Sequence, residues 1–312
     1  MNNADTITKN QLVVFKQPRF YSKWLKFLFP YYPLHLYKSF TLMAFLAFLF
    51  ALHIILVYVG FNLPVVNLQV GFDWIPTYLA GWFYGPIWGA IFGFVANNIS
   101  WLQTGATYWY WMYAIQEPII AIFASLVSYY CSFSLKSKQI KLDVIFQQLI
   151  FFIFVICTLT LISLCWTNHI KFNGVSVNNN QSINNLLVAT MVIFSFFVVA
   201  SETYILVKLK KHQQKGIYHL KMWLGAITVI SSMIFLFAIV LGPITDVNYL
   251  YAFHFINNPS ISKTLFLSDV IGQILLQCIR LPIAIIIFYL IIVITDKPYQ
   301  KLIINACLYK HA

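Results

Sequence analysis

Residues 69–103, QVGFDWIPTYLAGWFYGPIWGAIFGFVANNISWLQ, contain two apolar stretches joined at Gly85 and Pro86. Glycine recurs at every fourth position through the joint, at 81, 85, 89 and 93. A small residue every fourth position leaves a smooth stripe on one helix face, so that another helix can approach closely. Polar side chains cluster at the outer ends of the pair, at Gln69, Asp73, Asn97, Asn98 and Gln103. The pattern predicts a hairpin that crosses a membrane twice and presents a polar pocket on one side, which favours recognition of a solute over bond-making chemistry.

Composition places this hairpin in a membrane protein. Of the 312 residues, 61% are hydrophobic and 9% are charged, whereas a soluble domain carries about 25% charged residues. A transmembrane helix needs roughly 20 apolar residues. We therefore expect an all-α, polytopic membrane helix bundle with about eight transmembrane helices. The predicted spans are 38–60, 72–84, 86–104, 110–131, 143–167, 185–207, 221–243 and 268–294.

The basic residues are distributed unevenly between these spans. Seventeen of the 20 lysines and arginines lie in segments that fall on one side of the membrane if there are eight spans. Because cytoplasmic loops carry an excess of such residues, both termini are predicted to be cytoplasmic, in a multi-pass protein of the plasma membrane. This topology and attraction to anionic lipid account for the formal net charge of +12, and no nucleic acid is expected as a partner.

Three segments follow from this topology. Residues 1–37 mix lysine and arginine with aromatic residues and predict a cytoplasmic segment on the membrane surface. Residues 38–294 form the predicted substrate-binding transmembrane bundle, and 295–312 form a cytoplasmic tail. The outward loop 243–267 is expected to be long enough to fold over a site.

Ionisable residues inside a membrane are rare and are commonly functional. Glu117 lies about two turns into the fourth predicted span, and Arg280 lies near the middle of the last one, shortly before Pro282. A buried arginine needs an anion or strong acceptors. The candidates are Glu117, a ligand carboxylate, or helix carbonyls that Pro282 leaves free.

Further polar and aromatic groups accompany these charges. Gln273 and Gln277 lie four residues apart, so that with Arg280 they form a polar stripe that faces protein or a cavity. The aromatic residues after position 100 are either an interfacial belt or stacking faces for a flat ring ligand. The residues predicted to bind substrate are Asp73, Asn97, Asn98, Trp101, Gln103, Tyr108, Trp109, Glu117, Gln273, Gln277 and Arg280.

Catalytic motifs are missing from the sequence. It contains no Cys/His cluster, no nucleophile elbow and no G-x-x-x-x-G-K-[ST] phosphate loop. His53, in the first predicted span, is expected to be structural. We therefore expect no enzyme activity, no catalytic residue, no metal and no cofactor. If transport is driven by ATP, the motor is another subunit.

The run from Val70 to Ala96, GF-x-x-IP-x-x-LAG-x-x-YGP-x-x-GA-x-x-G, resembles the substrate-binding S component of energy-coupling factor (ECF) vitamin transporters, in particular the folate-type branch. The segment from Ile271 to Leu290, which ends RLPIAIIIFYL, is similar to the last helix of that branch. Ala47-x-x-x-Ala51 matches the place of an alanine motif in the first helix. The S component usually has six spans, so eight would mean a six-helix core plus an extra pair.

The resemblance implies an ABC importer subunit that captures a B-type vitamin, folate or a related aromatic vitamin, at its outer face. Its partners would be an ECF coupling transmembrane subunit and two ATPase subunits, with Ala47 and Ala51 docking on the coupling subunit. An alternative is an ion-coupled secondary transporter that acts without ATPases, through Glu117, Asp269 and Arg280. A third is a membrane-embedded enzyme or assembly factor.

Overall fold

The computed structural model describes residues 27–31, 36, 39–59, 61–63, 68–104, 108–134, 171–172, 175–176, 181–210, 214–253 and 259–309, with scattered positions between 144 and 163. These residues are mainly α-helical. Most of the predicted surface segment 1–37 lies outside them. In chain order the elements are α1 (Phe40–Tyr58), β1 (Phe61–Leu63), β2 (Leu68–Val70), α2 (Trp74–Thr104), α3 (Trp111–Ala114), α4 (Gln116–Ser134), β3 (Lys171–Phe172), β4 (Val175–Ser176), α5 (Gln181–Lys210), α6 (Gln214–Met233), a π-helical stretch (Ile234–Leu241), α7 (Gly242–Ala252) and α8 (Pro259–Tyr309).

Helix α1 begins after Ser39, whose Oγ accepts a hydrogen bond from the Leu42 amide at 3.4 Å, as a helix N-cap does. Its 19 residues extend about 28 Å, close to the thickness of a bilayer hydrocarbon core. Only Leu42, Leu49 and His53 are buried. The helix therefore packs on the bundle along one narrow face and leaves the rest of its surface open.

Helix α2 is a hairpin, as the glycine pattern predicts. Gly85 has φ 83° and ψ −178°, a conformation that a residue without a Cβ adopts at little cost, and Pro86 starts the second arm. A Cβ built on Gly89 would lie 2.8 Å from the Gly81 Cα, whereas residues eight apart in a continuous helix are separated by about 12 Å. The arms 74–84 and 86–104 are therefore antiparallel and in contact.

Helix α4 packs against both arms of this hairpin. A Cβ on Gly81 would collide with the backbone of Ala121, and one on Gly93 would lie 2.7 Å from the carbonyl carbon of Glu117. The glycine stripe thus brings the backbone of α4 against the hairpin. This close approach places the backbone of Glu117 beside the second arm of α2.

The C-terminal helices are longer than the sequence predicts. Helix α6 continues through the π-helical stretch into α7, which ends at Ala252. Pro243 does not interrupt this run, because it lies in the first turn of α7, where proline is tolerated. The predicted outward loop 243–267 is therefore wrong in its extent, since residues 243–252 and 259–267 are helical. Helix α8 runs to Tyr309, so the chain does not leave its helix at the predicted boundary of 294.

Five helices of the described residues are long and apolar enough to cross a membrane: Phe40–Tyr58, Trp74–Gln103, Trp111–Ser132, Tyr218–Ala252 and Gly272–Lys301. The protein is therefore an α-helical, multi-pass membrane protein. The predicted number of about eight spans is not confirmed. The predicted span 143–167 lies largely outside the described residues, and the segment Trp74–Gln103 contains the whole hairpin.

The two ends of the bundle differ in chemistry. Tyr84 Oη donates to the Leu42 carbonyl at 2.7 Å, and Tyr299 Oη donates to the Phe83 carbonyl at 2.5 Å. These bonds join the start of α1, the reversal of α2 and the C-terminal part of α8 at what we call the near end. Lys297 and Lys301 lie in this part of α8 and are exposed. The opposite, or far, end is where α2 begins and finishes, and it carries the candidate site.

Candidate functional site

A group of polar side chains, all of them buried except Asp73, lies at the far end between α1, α2, α4 and α8. We call His53, Asp73, Thr77, Glu117 and Arg280 the far-end polar cluster. Its members come from four helices, and the predicted set contains three of them: Asp73, Glu117 and Arg280.

Glu117 is the most deeply buried carboxyl group of the cluster, at 1% exposure. Its Oε2 accepts a hydrogen bond from Thr77 Oγ1 at 2.5 Å, and Asn97 also hydrogen-bonds to it. Its Oε1 lies 3.9 Å from His53 Nε2. Both arms of the hairpin therefore supply hydrogen bonds to this single side chain.

His53 links α1 to both arms of α2. Its Nδ1 lies 2.8 Å from the Asp73 carbonyl oxygen, and its Nε2 lies 2.8 Å from Ser100 Oγ. A carbonyl oxygen only accepts, so Nδ1 carries the proton and Nε2 faces Ser100 and Glu117. The ring can therefore gain or lose a proton on the side of Glu117. The expected structural role holds in so far as His53 joins helices, but its position within the cluster was not predicted.

Arg280 pairs with Asp73. Its Nη2 donates to Asp73 Oδ1 at 3.4 Å, and its guanidinium lies 4.8 Å above the ring of Trp74, a cation–π arrangement. Glu117, which the sequence offered as a partner, is instead held by Thr77 and Asn97. Asp73 is the better placed because it lies at the start of α2, directly facing α8.

The glutamine stripe of α8 continues from Arg280 towards the far end. Gln277 is 2% exposed, and its Nε2 donates to Gln273 Oε1 at 3.4 Å. Within the described residues, Gln277 Oε1 and the hydroxyl of Tyr78 are buried without a hydrogen-bond partner. One unused acceptor and one unused donor therefore remain beside the cluster.

An aromatic layer covers the far end outside the cluster. Trp109 Nε1 donates to Asn98 Oδ1 at 2.9 Å, and Trp101 Nε1 donates to the Tyr108 carbonyl at 3.3 Å. Tyr108 stacks on Phe253 at 4.4 Å between ring centroids and 12° between planes. These predicted residues therefore form a separate tier. Gln103, at the end of α2, has a buried Oε1 with no partner among the described residues.

A pair of carboxyl groups joins α7 to α8 near this layer. Tyr113 Oη donates to Asp246 Oδ1, and Asp269 is hydrogen-bonded to Asp246 and Gln273. Burial, reinforced by the neighbouring Asp246, raises the pKa of Asp269 to about 7. Asp269 precedes the membrane-spanning part of α8, Gly272–Lys301. Asp269 can therefore hold a proton near neutral pH.

Sequence reasoning missed several members of the site, namely His53, Trp74, Thr77, Tyr78 and Ser100. Thr77 and Tyr78 follow Asp73 and Trp74 by one helical turn, so a search along one face of the first arm would have found them. Ser100 carries no such signal. In the part of the chain that is described, no three His, Cys, Asp or Glu side chains are grouped to hold a metal ion.

The fold and the site together define an α-helical, multi-pass membrane protein with ionisable side chains buried between its helices. The chain is 31% identical over 281 residues to the uncharacterized protein MG313 of Mycoplasma genitalium. The aligned region covers 86% of this chain and 95% of that protein. It is 32% identical over 236 residues to the MG313 homolog of Mycoplasma pneumoniae, also uncharacterized, which covers 72% and 78%. The chain therefore belongs to the MG313 family. No family model and no solved structure matches it.

Proposed function

We propose that the protein is the membrane-embedded substrate-binding subunit of an ECF-type ABC importer and captures a B-type vitamin at the far end of the bundle. The observation that carries the proposal is the set of unused hydrogen-bonding groups there. Tyr78, Gln103 and Gln277 each have a buried polar atom without a partner in the described region. Such groups are unfavourable in an empty protein and become favourable when a ligand satisfies them.

The aromatic layer supports a ring-shaped ligand. Trp101, Tyr108 and Trp109 lie above the buried polar groups, and flat side chains of this kind stack on heterocycles. Folate and related aromatic vitamins combine a flat ring with amide-like edges, which asparagine and glutamine side chains can recognise. The far end thus offers both kinds of contact, in two tiers.

The proposed topology has about eight spans, a six-helix core plus an extra pair. The passes are α1, the two arms of α2, α4, the partly described segment around 144–163, α5, α6 with α7, and α8. Lys297 and Lys301 at the near end agree with a cytoplasmic near end under the positive-inside rule. The far end would then face outward at the plasma membrane.

The exposed face of α1 fits a docking role. Ala47 and Ala51 are both exposed, so their small side chains present a flat surface to a partner helix. We propose that the ECF coupling transmembrane subunit, driven by two ATPases, docks on this face. The S component itself would then bind its ligand without hydrolysing ATP.

A second candidate function is supported by the contact between His53 and Glu117. An imidazole nitrogen 3.9 Å from a buried carboxyl oxygen is the kind of pair that carries protons in transporters. In an ion-coupled secondary transporter, Glu117, Asp269 and Arg280 would couple a solute to a proton, and no ATPase would be needed.

The deciding experiment is purification of the full chain in mild detergent, followed by denaturing extraction and mass spectrometry of any retained small molecule. A stoichiometric vitamin, together with ATPase subunits that co-purify from membranes, supports the importer. Proteoliposomes that contain this chain alone give the opposite test. If they take up solute at a rate that depends on a pH gradient, the secondary transporter is supported and the first proposal is contradicted.

A further inference from the structure

Two hydrogen-bond donors that lack a good acceptor lie close together at the far end. Tyr78 is 2% exposed, and its hydroxyl has no partner among the described residues. Tyr78 lies one helical turn after Trp74, and the Arg280 guanidinium lies 4.8 Å from the centre of the Trp74 ring. A buried hydroxyl of this kind is destabilising unless something accepts its proton.

Arg280 is the second of these donors. A guanidinium has five N–H groups, yet in the described region only Nη2 is used, in a bond of 3.4 Å to Asp73. Charge-assisted N–H···O bonds are normally about 2.7–2.9 Å long, and arginine prefers a bidentate carboxylate. The pair with Asp73 is therefore weak and leaves most of the guanidinium unused.

The Asp73 carboxylate is also the more accessible member of the pair. Its side chain is 28% exposed, against 11% for that of Arg280. Asp73 precedes the first arm of α2, so its side chain can swing outward without moving a helix. A carboxylate that arrives from the far end can therefore take its place on Arg280.

The neighbouring Gln277 offers a hydrogen-bond acceptor, whereas Tyr78 and Arg280 offer donors. Gln277 Oε1 is a buried acceptor without a partner in the described residues, one helical turn before Arg280. A ligand that meets all three groups presents a carboxylate to Tyr78 and Arg280 and an N–H to Gln277.

We propose that Tyr78 and Arg280 form a carboxylate subsite, that Gln277 accepts an N–H from the same ligand, and that Asp73 occupies Arg280 until the ligand displaces it. This inference rests on the proposed function and narrows it to vitamins that carry a carboxylate. Tyr78 is then a determinant of specificity that hydrogen-bonds the ligand directly.

The first test compares vitamins by thermal shift of the purified full chain. Folate, biotin and pantothenate carry both a carboxylate and an N–H, whereas riboflavin, thiamine and pyridoxine lack a carboxylate. Stabilisation by one of the first group is expected. Binding of only a vitamin without a carboxylate overturns the carboxylate subsite and leaves the importer proposal standing. Binding of none of them overturns both.

The second test uses variants with two readouts that respond in opposite directions. Tyr78→Phe removes the unpaired hydroxyl, so the empty protein should melt at the same or a higher temperature, while the Kd of the carboxylate vitamin rises about tenfold or more. Tyr84→Phe is the matched control, because its hydroxyl donates to the Leu42 carbonyl at 2.7 Å. It should lower the melting temperature and leave the Kd unchanged.

Two further variants address the competition at Arg280. Asp73→Asn removes the competing charge and should lower the Kd of the carboxylate vitamin several-fold. The double variant, Asp73→Asn with Arg280→Gln, leaves no unpaired charge and should abolish binding. If Tyr78→Phe destabilises the empty protein as Tyr84→Phe does and leaves the Kd unchanged, the subsite is refuted. Retention of binding by the double variant refutes it as well.

Discussion

Substitution of Gly81 by alanine tests the close packing that creates the site. A Cβ at Gly81 would collide with the carbonyl group of Ala121 and lie 2.8 Å from its Cα. Ordinary contact of a Cβ begins at 3.4 Å, and backbone atoms cannot rotate away as a side chain can. Helix α4 must therefore retreat from the hairpin by at least about 0.6 Å, the difference between 3.4 Å and 2.8 Å.

The expected cost follows from two opposing terms. Overpacking of a tight interior typically costs about 1–3 kcal/mol, whereas alanine favours a helix over glycine by up to about 1 kcal/mol. Because the clash is with backbone atoms, the cost lies in the upper part of that range, at about 2–3 kcal/mol. After subtraction of about 1 kcal/mol for alanine, the net loss is about 1–2 kcal/mol, which corresponds to a fall of roughly 2–8 °C in the melting temperature. The displacement also lengthens the 2.5 Å bond from Thr77 to Glu117, so ligand affinity should fall with it.

The assay is thermal unfolding of the purified protein in nanodiscs, followed by ligand titration. Ala44→Ser is the matched control, because it adds one heavy atom at an exposed position of α1 and should change the melting temperature little. A Gly81→Ala variant that is as stable as the natural chain, or more so, would show that α4 does not lie against the hairpin as described.

Three further predictions concern other parts of the molecule. Ala47→Leu with Ala51→Leu should abolish ATP-dependent uptake and leave ligand binding unchanged, and equal loss of both would contradict the docking role. The fold raises the pKa of Asp269 from 3.8 to about 7, which favours its protonated form. The melting temperature should therefore fall as pH rises from about 4 through about 7, and an equal slope in Asp269→Asn would contradict this. Tyr299→Phe should cost about 1 kcal/mol through the bond to Phe83, measured by denaturant titration; unchanged stability would argue against that bond.

The site was predicted from sequence only in part. The burial of Glu117 and Arg280 follows from charges within apolar segments of span length, because a charge in such a segment is directed away from lipid. The two-tier arrangement does not follow. Trp101, Tyr108 and Trp109 are predicted to share a site with Glu117, and the structure places them in a layer of their own at the same end of the bundle, because side-chain depth depends on how each helix is tilted and rotated.

The length of the C-terminal helices illustrates another limit. Pro243 marked the start of a loop in the sequence, since proline commonly ends a helix. In the structure it begins α7 after a π-helical stretch. Local pattern alone cannot distinguish a proline that ends one helix from one that opens the next.

The membrane environment, the helical class and the reversal at Gly85 follow from the amino-acid sequence. These features depend on apolar length and on local backbone freedom, which neighbouring residues set. Only the tertiary structure decided that Asp73 pairs with Arg280, 207 residues away, and that His53 bridges both arms of the hairpin. It alone leaves the Tyr78 hydroxyl without a partner in the described residues. Partner choice depends on helix rotation and depth, and these are set by packing between segments that are distant in the chain.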